Sequence, residues 1–224
     1  MRKTSLLVFL AMLCNLTLFA QTAARTRIVH TTERSEIHVP REEVPAGLQT
    51  IYSNLGTSAT DLYDDSDGYV VLGPNVEGND GYYYWEAMQF TPATNSRVSQ
   101  VQVAVQYGGS GANRVNLSIY GSTNGAPGTL LAGPKTVKNL PTFGTCCTLA
   151  VAKFSPLAVT GGTQYWVVAS TPTEGAGSDS LDLWDFVVQG ETPASGFFSS
   201  GVGGGWYAEP GLEVPAGEVL GTIP

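Results

Sequence analysis

Period-two alternation across residues 97–131 limits the possible folds of this chain more than any other feature. Val101, Val103, Val105 and Tyr107 share one parity; Gln100, Gln102, Ala104 and Gln106 share the other. Successive side chains leave a strand on opposite sides, so this spacing is a strand with one buried face. Residues 108–111 supply a turn, and Val115, Leu117 and Ile119 resume the alternation against Asn116 and Ser118. The two runs read as a hairpin whose apolar sides meet one core. TNGAPG at 123–128 closes it, because Asn-Gly and Pro-Gly favour tight reversals.

The same grammar continues along the chain. Residues 69–73 form a short apolar run ending at Gly-Pro, and residues 82–92 form another in which Met88 and Phe90 face the core and Pro92 ends the strand. Residues 129–132 and 135–140 are two short candidates, and 148–154 alternates ambiguously. Tyr165, Trp166, Val167, Val168 and Ala169 are continuously apolar, as in a central strand occupied on both faces. Residues 181–188 and 218–223 complete about ten short strands, with Gly, Pro and Asn between them and no amphipathic helix. The expected fold is all-β: a jelly-roll-like, two-sheet antiparallel β-sandwich over residues 51–224.

Two segments precede it. Arg2 and Lys3, then an apolar run over residues 6–19, then Ala20, Ala23 and Ala24 have the form of a secretory signal peptide, cleaved after Ala20 or Ala24. Residues 25–50 are charged and mixed in sign, and read as a polar, flexible arm with one weak strand at 35–39. Both histidines, His30 and His38, lie in this arm. The expected domain therefore holds no Ser-His-Asp or Cys-His catalytic set. Loss of Arg2 and Lys3 takes the formal charge from −8 to −10, which repels phosphate backbones and argues against nucleic acid. No later run is long and apolar enough to span a membrane. A secreted product, extracellular or periplasmic, is expected.

Six pieces together resemble the bacterial choice-of-anchor R domain family: NLG at 54–56, FTP at 90–92, NGAPGTLL at 124–131, GTCC at 144–147, TGGTQYWVV at 160–168, and the closing GWY and LGT. They span most of residues 51–222. The resemblance implies an exported β-sandwich, often followed by a surface-sorting segment; none follows Thr222 here. The family has no assigned activity, so the resemblance bears on fold and compartment.

Candidate sites follow from chemistry. Tyr83, Trp85, Trp184 and Trp206 are rings with polar surroundings (Glu86, Asp182 and Asp185 adjoin them), as in a sugar-binding face. Asp185 would supply hydrogen bonds there, whereas Trp166 reads as plain core. Asp61, Asp64, Asp65 and Asp67 precede Gly68 in a loop able to hold a structural Ca²⁺. Tyr63 and the missing twelfth-position Glu exclude an EF-hand. A solvated turn is the alternative. Asp179 and Asp182 could add to the acids from another loop. Glu86 with Asp185 could form a glycosidase carboxylate pair only at a separation of roughly 5–9.5 Å. Cys146 and Cys147 are adjacent, with Cα atoms about 3.8 Å apart, which is shorter than the usual disulfide span. They are two small semi-buried residues or a vicinal disulfide. Beyond the possible Ca²⁺, no cofactor is expected. The leading expectation is a secreted, non-catalytic module binding carbohydrate through exposed aromatics. The second is a structural or adhesion component contacting surface proteins, and a carboxylate-dependent glycoside hydrolase is third.

Overall fold

The computed structural model describes residues 28–31, 43–58, 60–188, 198–200, 205–208, 211 and 213–224. The leader at 1–24, the strand expected at 35–39, His38 and residues 201–204 lie outside the described residues. The described residues form fourteen strands and no helix. They are β1 (Ile28–His30), β2 (Gln49–Ser53), β3 (Asp64–Leu72), β4 (Trp85–Phe90), β5 (Ser96–Val103), β6 (Val105–Ser110) and β7 (Arg114–Thr123). Then come β8 (Ala126–Lys138), β9 (Ala150–Val159), β10 (Tyr165–Ser170), β11 (Leu181–Phe186), β12 (Phe198–Ser200), β13 (Trp206–Ala208) and β14 (Gly217–Thr222).

One layer is a six-stranded antiparallel sheet in the order β13-β12-β4-β10-β7-β8. The other layer is forked. β5 and β6 are one run of chain interrupted at Ala104; β5 belongs to the sheet β2-β14-β5-β9, and β6 to β1-β3-β11-β6. Three backbone bonds close the fork in a ring. Ala104 N–H donates to Ala216 O at 3.1 Å, Ala216 N–H to Asp185 O at 2.8 Å, and Asp185 N–H to Ala104 O at 2.9 Å. Trp184 Nε1 donates to the same Ala216 carbonyl at 2.8 Å. The backbone groups of the ring and the Trp184 indole at this dry junction are thus paired, as burial demands.

The core lies between the layers. Met88, Phe90, Val115, Leu117, Ile119 and Val167 from the six-stranded sheet meet Val98, Val101, Val103, Val105, Trp184 and Val219 from the forked layer in one buried cluster. The alternating valines therefore face a shared dry interior, as their spacing requires. The expected hairpin is a different matter. β6 pairs with β11, whereas β7 pairs with β10 and β8, so the two runs face each other across the core. Alternation reports which face is apolar and leaves the hydrogen-bonding partner undetermined.

Other expectations are also revised. β7 and β8 do form a hairpin, with Thr123 opposite Ala126 and positive φ at Asn124 (53°) and Gly125 (78°). Two positive φ values suit a two-residue turn that follows strand twist. The two short candidates beyond it are one continuous strand, β8. The acidic loop before Gly68 is half strand: residues 64–67 belong to β3. The arm is not flexible throughout, because β1 pairs with Asp67, Gly68 and Tyr69. One histidine, His30, therefore joins the sheet. β10 sits centrally between β4 and β7 with every residue buried, as its apolar run indicates.

Backbone hydrogen bonds join the two layers at β3 and β4. Leu72 and Tyr84 exchange backbone hydrogen bonds of 3.0 Å, joining β3 to the start of β4. On the opposite side β8 and β9 are the last strands of their sheets and approach each other without pairing.

Candidate functional site

Strand β4 and the hairpin beside it build an aromatic face on the outer side of the six-stranded sheet. Tyr83 and Trp85 share parity, so their rings meet on one side, with centroids 5.0 Å apart and planes tilted by 41°. Offset, tilted rings of this kind attract beyond simple area burial. Both are half-buried, and Tyr82 before them is 46% exposed. Across the sheet Trp85 stands opposite Ser200 of β12, and Ser200 stands opposite Trp206 of β13. Two strand spacings place the Trp85 and Trp206 backbones about 10 Å apart. Trp206 packs on Ala87, Trp166 and Val168, with Tyr120 alongside. Burial raises the Tyr120 hydroxyl pKa above its ordinary value. Of the five expected ligand residues, the fold thus unites Tyr83, Trp85 and Trp206.

Trp184 and Asp185 are separated from them. Both are 0% exposed in the forked layer. Trp184 fills the core and ties its indole to Ala216. Asp185 closes the backbone ring described above, and neither carboxylate oxygen has a hydrogen-bond partner. Burial pushes its carboxyl well above the usual range, and the charges of Asp65, Asp64 and Asp67 push the same way. The sequence placed these two residues beside polar neighbours, but those neighbours are buried too. Glu86 and Asp182 are also 0% exposed, so the Glu86–Asp185 carboxylate pair does not line a solvent-accessible cleft. Burial alone raises Asp182 to about 9.

The expected calcium residues are spread along β3 and its approach. Asp61 is exposed, Asp64 and Asp67 are half-buried and Asp65 is buried. Asp64 Oδ1 accepts from the N–H and hydroxyl of Ser66, an Asx-type turn. Glu213 is raised by burial and by Asp64 and Asp67. Among the described residues, no three His, Cys, Asp or Glu side chains converge as metal ligands. Asp179 lies in the loop before β11, its carbonyl against Gly111.

Cys146 and Cys147 are joined by a disulfide and buried in the core cluster. The loop that carries them is pinned by two side chains. Tyr63 Oη lies 3.0 Å from the carbonyls of both Thr145 and Thr148. Gln106 Nε2 donates to Tyr63 Oη at 3.1 Å and to Thr145 O. Burial and Asp185 hold the Tyr63 hydroxyl protonated, so it remains a donor.

A second concavity was not anticipated from the sequence. Between the last strands of the two layers, Leu131, Ala132, Gly133, Pro134 and Lys135 of β8 and Phe154, Ser155, Pro156 and Leu157 of β9 line a groove of about 370 Å³. Residues 150–154 of β9 do alternate, with Ala150, Ala152 and Phe154 buried, Val151 half-buried and Lys153 exposed; the sequence is ambiguous because both parities carry apolar residues.

These observations define an antiparallel β-sandwich with an aromatic outer face. Among its described residues no helix is long and apolar enough to cross a membrane. No protein-family model matches the chain, and no curated protein matches it in sequence.

Proposed function

We propose that this chain is an exported, non-catalytic binding module that takes carbohydrate on the ledge of Tyr82, Tyr83 and Trp85, with Trp206 as its far wall. The observation that carries this reading is the Tyr83–Trp85 ring pair, held at 5.0 Å on the outer sheet face and half-open to solvent. Sugars present apolar C–H faces and hydroxyl edges together, and tilted rings with phenolic tips match both. The leader at 1–24 and the resemblance to choice-of-anchor R domains support export. Burial of Glu86, Asp182 and Asp185 weighs against a hydrolase built on them.

The test is retention of the exported chain on insoluble polysaccharides and a glycan array, beside Trp85→Ala and Tyr83→Ala. Either change should weaken retention about tenfold or more, since a stacked aromatic anchor contributes on the order of 1.5 kcal/mol or above. Retention that survives both changes, or no retention at all, overturns the ledge. Concentration-dependent self-association with no glycan bound would instead favour an adhesion component.

A further inference from the structure

From Ala87 to Thr173 the chain contains no Asp or Glu, although the whole chain carries 19 of them against 11 Lys and Arg. That stretch supplies β7, β8, β10 and most of β4, the neighbouring strands of the six-stranded sheet. The registers decide what their outer face presents. Val115 and Leu117 of β7 are in the core, so Arg114 and Asn116 face outward. On β8, Lys138 stands opposite Arg114 and Thr136 opposite Asn116. On the other side of β7, Asn116 stands opposite Ser170 of β10. The β10–β4 register, carried one residue past Ala169 and Glu86, brings Ser170 beside Trp85. One row thus crosses the sheet as Trp85, Ser170, Asn116 and Thr136. The next row, two residues along each strand, has Tyr83 at one end and the Arg114–Lys138 pair at the other. At about 4.8 Å per strand, the Arg114 and Lys138 backbones lie about 10 and 14 Å across the sheet from β4.

Folding alone does not account for this face. Like charges directly opposite each other on an antiparallel pair are destabilising. Arg114 and Lys138 are such a pair, and neither has an ion-pair partner among the described residues. Glu86 is the one carboxylate on β4, β7, β8 and β10, and it is 0% exposed. The Arg114 stem is also held in place: it packs beside Gly177, where a Cβ would stand 2.7 Å from Arg114 Cδ. Lys138 is exposed and Arg114 half-buried. Between the cations and the rings, Asn116 Oδ1 accepts from Thr136 Oγ1 at 2.7 Å, which leaves the Asn116 Nδ2 hydrogens to donate elsewhere.

We propose that the glycan taken by the Tyr83–Trp85 ledge is acidic, of the uronic-acid class, and runs across the strands so that a carboxylate meets Arg114 and Lys138. This inference rests on the ledge reading and adds the charge of the ligand. A guanidinium fork pairs two N–H donors with one carboxylate, and the ammonium adds a point charge beside it. A carboxylate seated there relieves the opposition of the two cations, while Asn116 and Thr136 meet sugar hydroxyls on the way. A peptide bound through its backbone needs a sheet edge, whereas these groups stand on a sheet face.

Calorimetry at about 50 mM NaCl, where surface charges are weakly screened, measures binding of the exported chain to a soluble polyuronate, a neutral glucan and poly-glutamate. Polyuronate should bind at least tenfold more tightly than the glucan. Arg114→Gln/Lys138→Gln should abolish that preference without lowering the melting temperature. Lys135→Gln removes the same charge from the same strand, but opposite the core residue Leu117, and should leave binding unchanged. Trp85→Ala should weaken polyuronate and glucan alike. No preference for polyuronate, or a preference that survives the double variant, overturns the acidic assignment; the ledge still stands if Trp85→Ala weakens glucan binding. Glycan binding indifferent to Trp85→Ala overturns the ledge and this inference with it. Poly-glutamate binding as tightly as polyuronate, with the same loss in the double variant, overturns the sugar class in favour of an acidic peptide.

Discussion

Asp182 shows how little a residue's type says about its surroundings. It lies on a strand between Leu181 and Leu183, and both its oxygens are buried without hydrogen-bond partners. Ionising it there means leaving water for an apolar medium, so it keeps its proton up to about pH 9. In the unfolded chain it ionises near 3.8. The folded form therefore holds the extra proton between those values. The stabilising contribution is complete below about pH 4 and is lost as pH rises toward 9. Asp185 behaves in the same direction, for burial and for the neighbouring carboxylates. In Asp182→Asn the titrating group is gone. Its melting temperature minus that of the wild type should grow by at least about 5 °C between pH 5 and pH 8.5. A difference that stays flat with pH would mean that Asp182 is hydrated. The aromatic residues teach the same lesson: Trp85 and Trp184 both have acidic neighbours in sequence, yet one is half-open and the other is sealed in the core.

At the scale of elements, strand identity is written locally and strand partnership is not. The β7–β8 hairpin is legible because Asn124 and Gly125 take the turn's two positive φ values by their own preference. The forked layer has no such local signature. Its β14 slots between β2 and β5, bringing residues near one terminus against others more than a hundred positions away. Gly221 exists for this fit. A Cβ at that position would stand 1.9 Å from the Arg97 carbonyl oxygen, where β14 shifts register against β5. Gly221→Ala should cost about 3 kcal/mol in urea denaturation, because backbone rather than a flexible side chain must move. An unchanged midpoint would show that the bulge relaxes freely.

Across the whole molecule, stability rests on the ring at Ala104, Asp185 and Ala216, where the two halves of the forked layer share one strand. Ending the chain after Val214 removes β14 and Ala216 together. It leaves Ala104 N–H and Trp184 Nε1 buried without acceptors, each costing about 1–3 kcal/mol. β5 loses a neighbour at the same time. Such a truncation should show no cooperative unfolding transition by circular dichroism; a sharp transition would mean that the fork is dispensable. The sequence by itself determined an all-β sandwich, its valine core and its tightest turn, because side-chain alternation and turn dihedrals are properties of a few adjacent residues. Only the tertiary structure decided that β6 and β7 lie on opposite sides of the core, that Tyr83, Trp85 and Trp206 share a face, and that Trp184 and Asp185 are sealed from solvent. Those outcomes depend on which distant strands pair, and pairing is settled by the joint burial of many apolar faces, a free energy that no short segment contains.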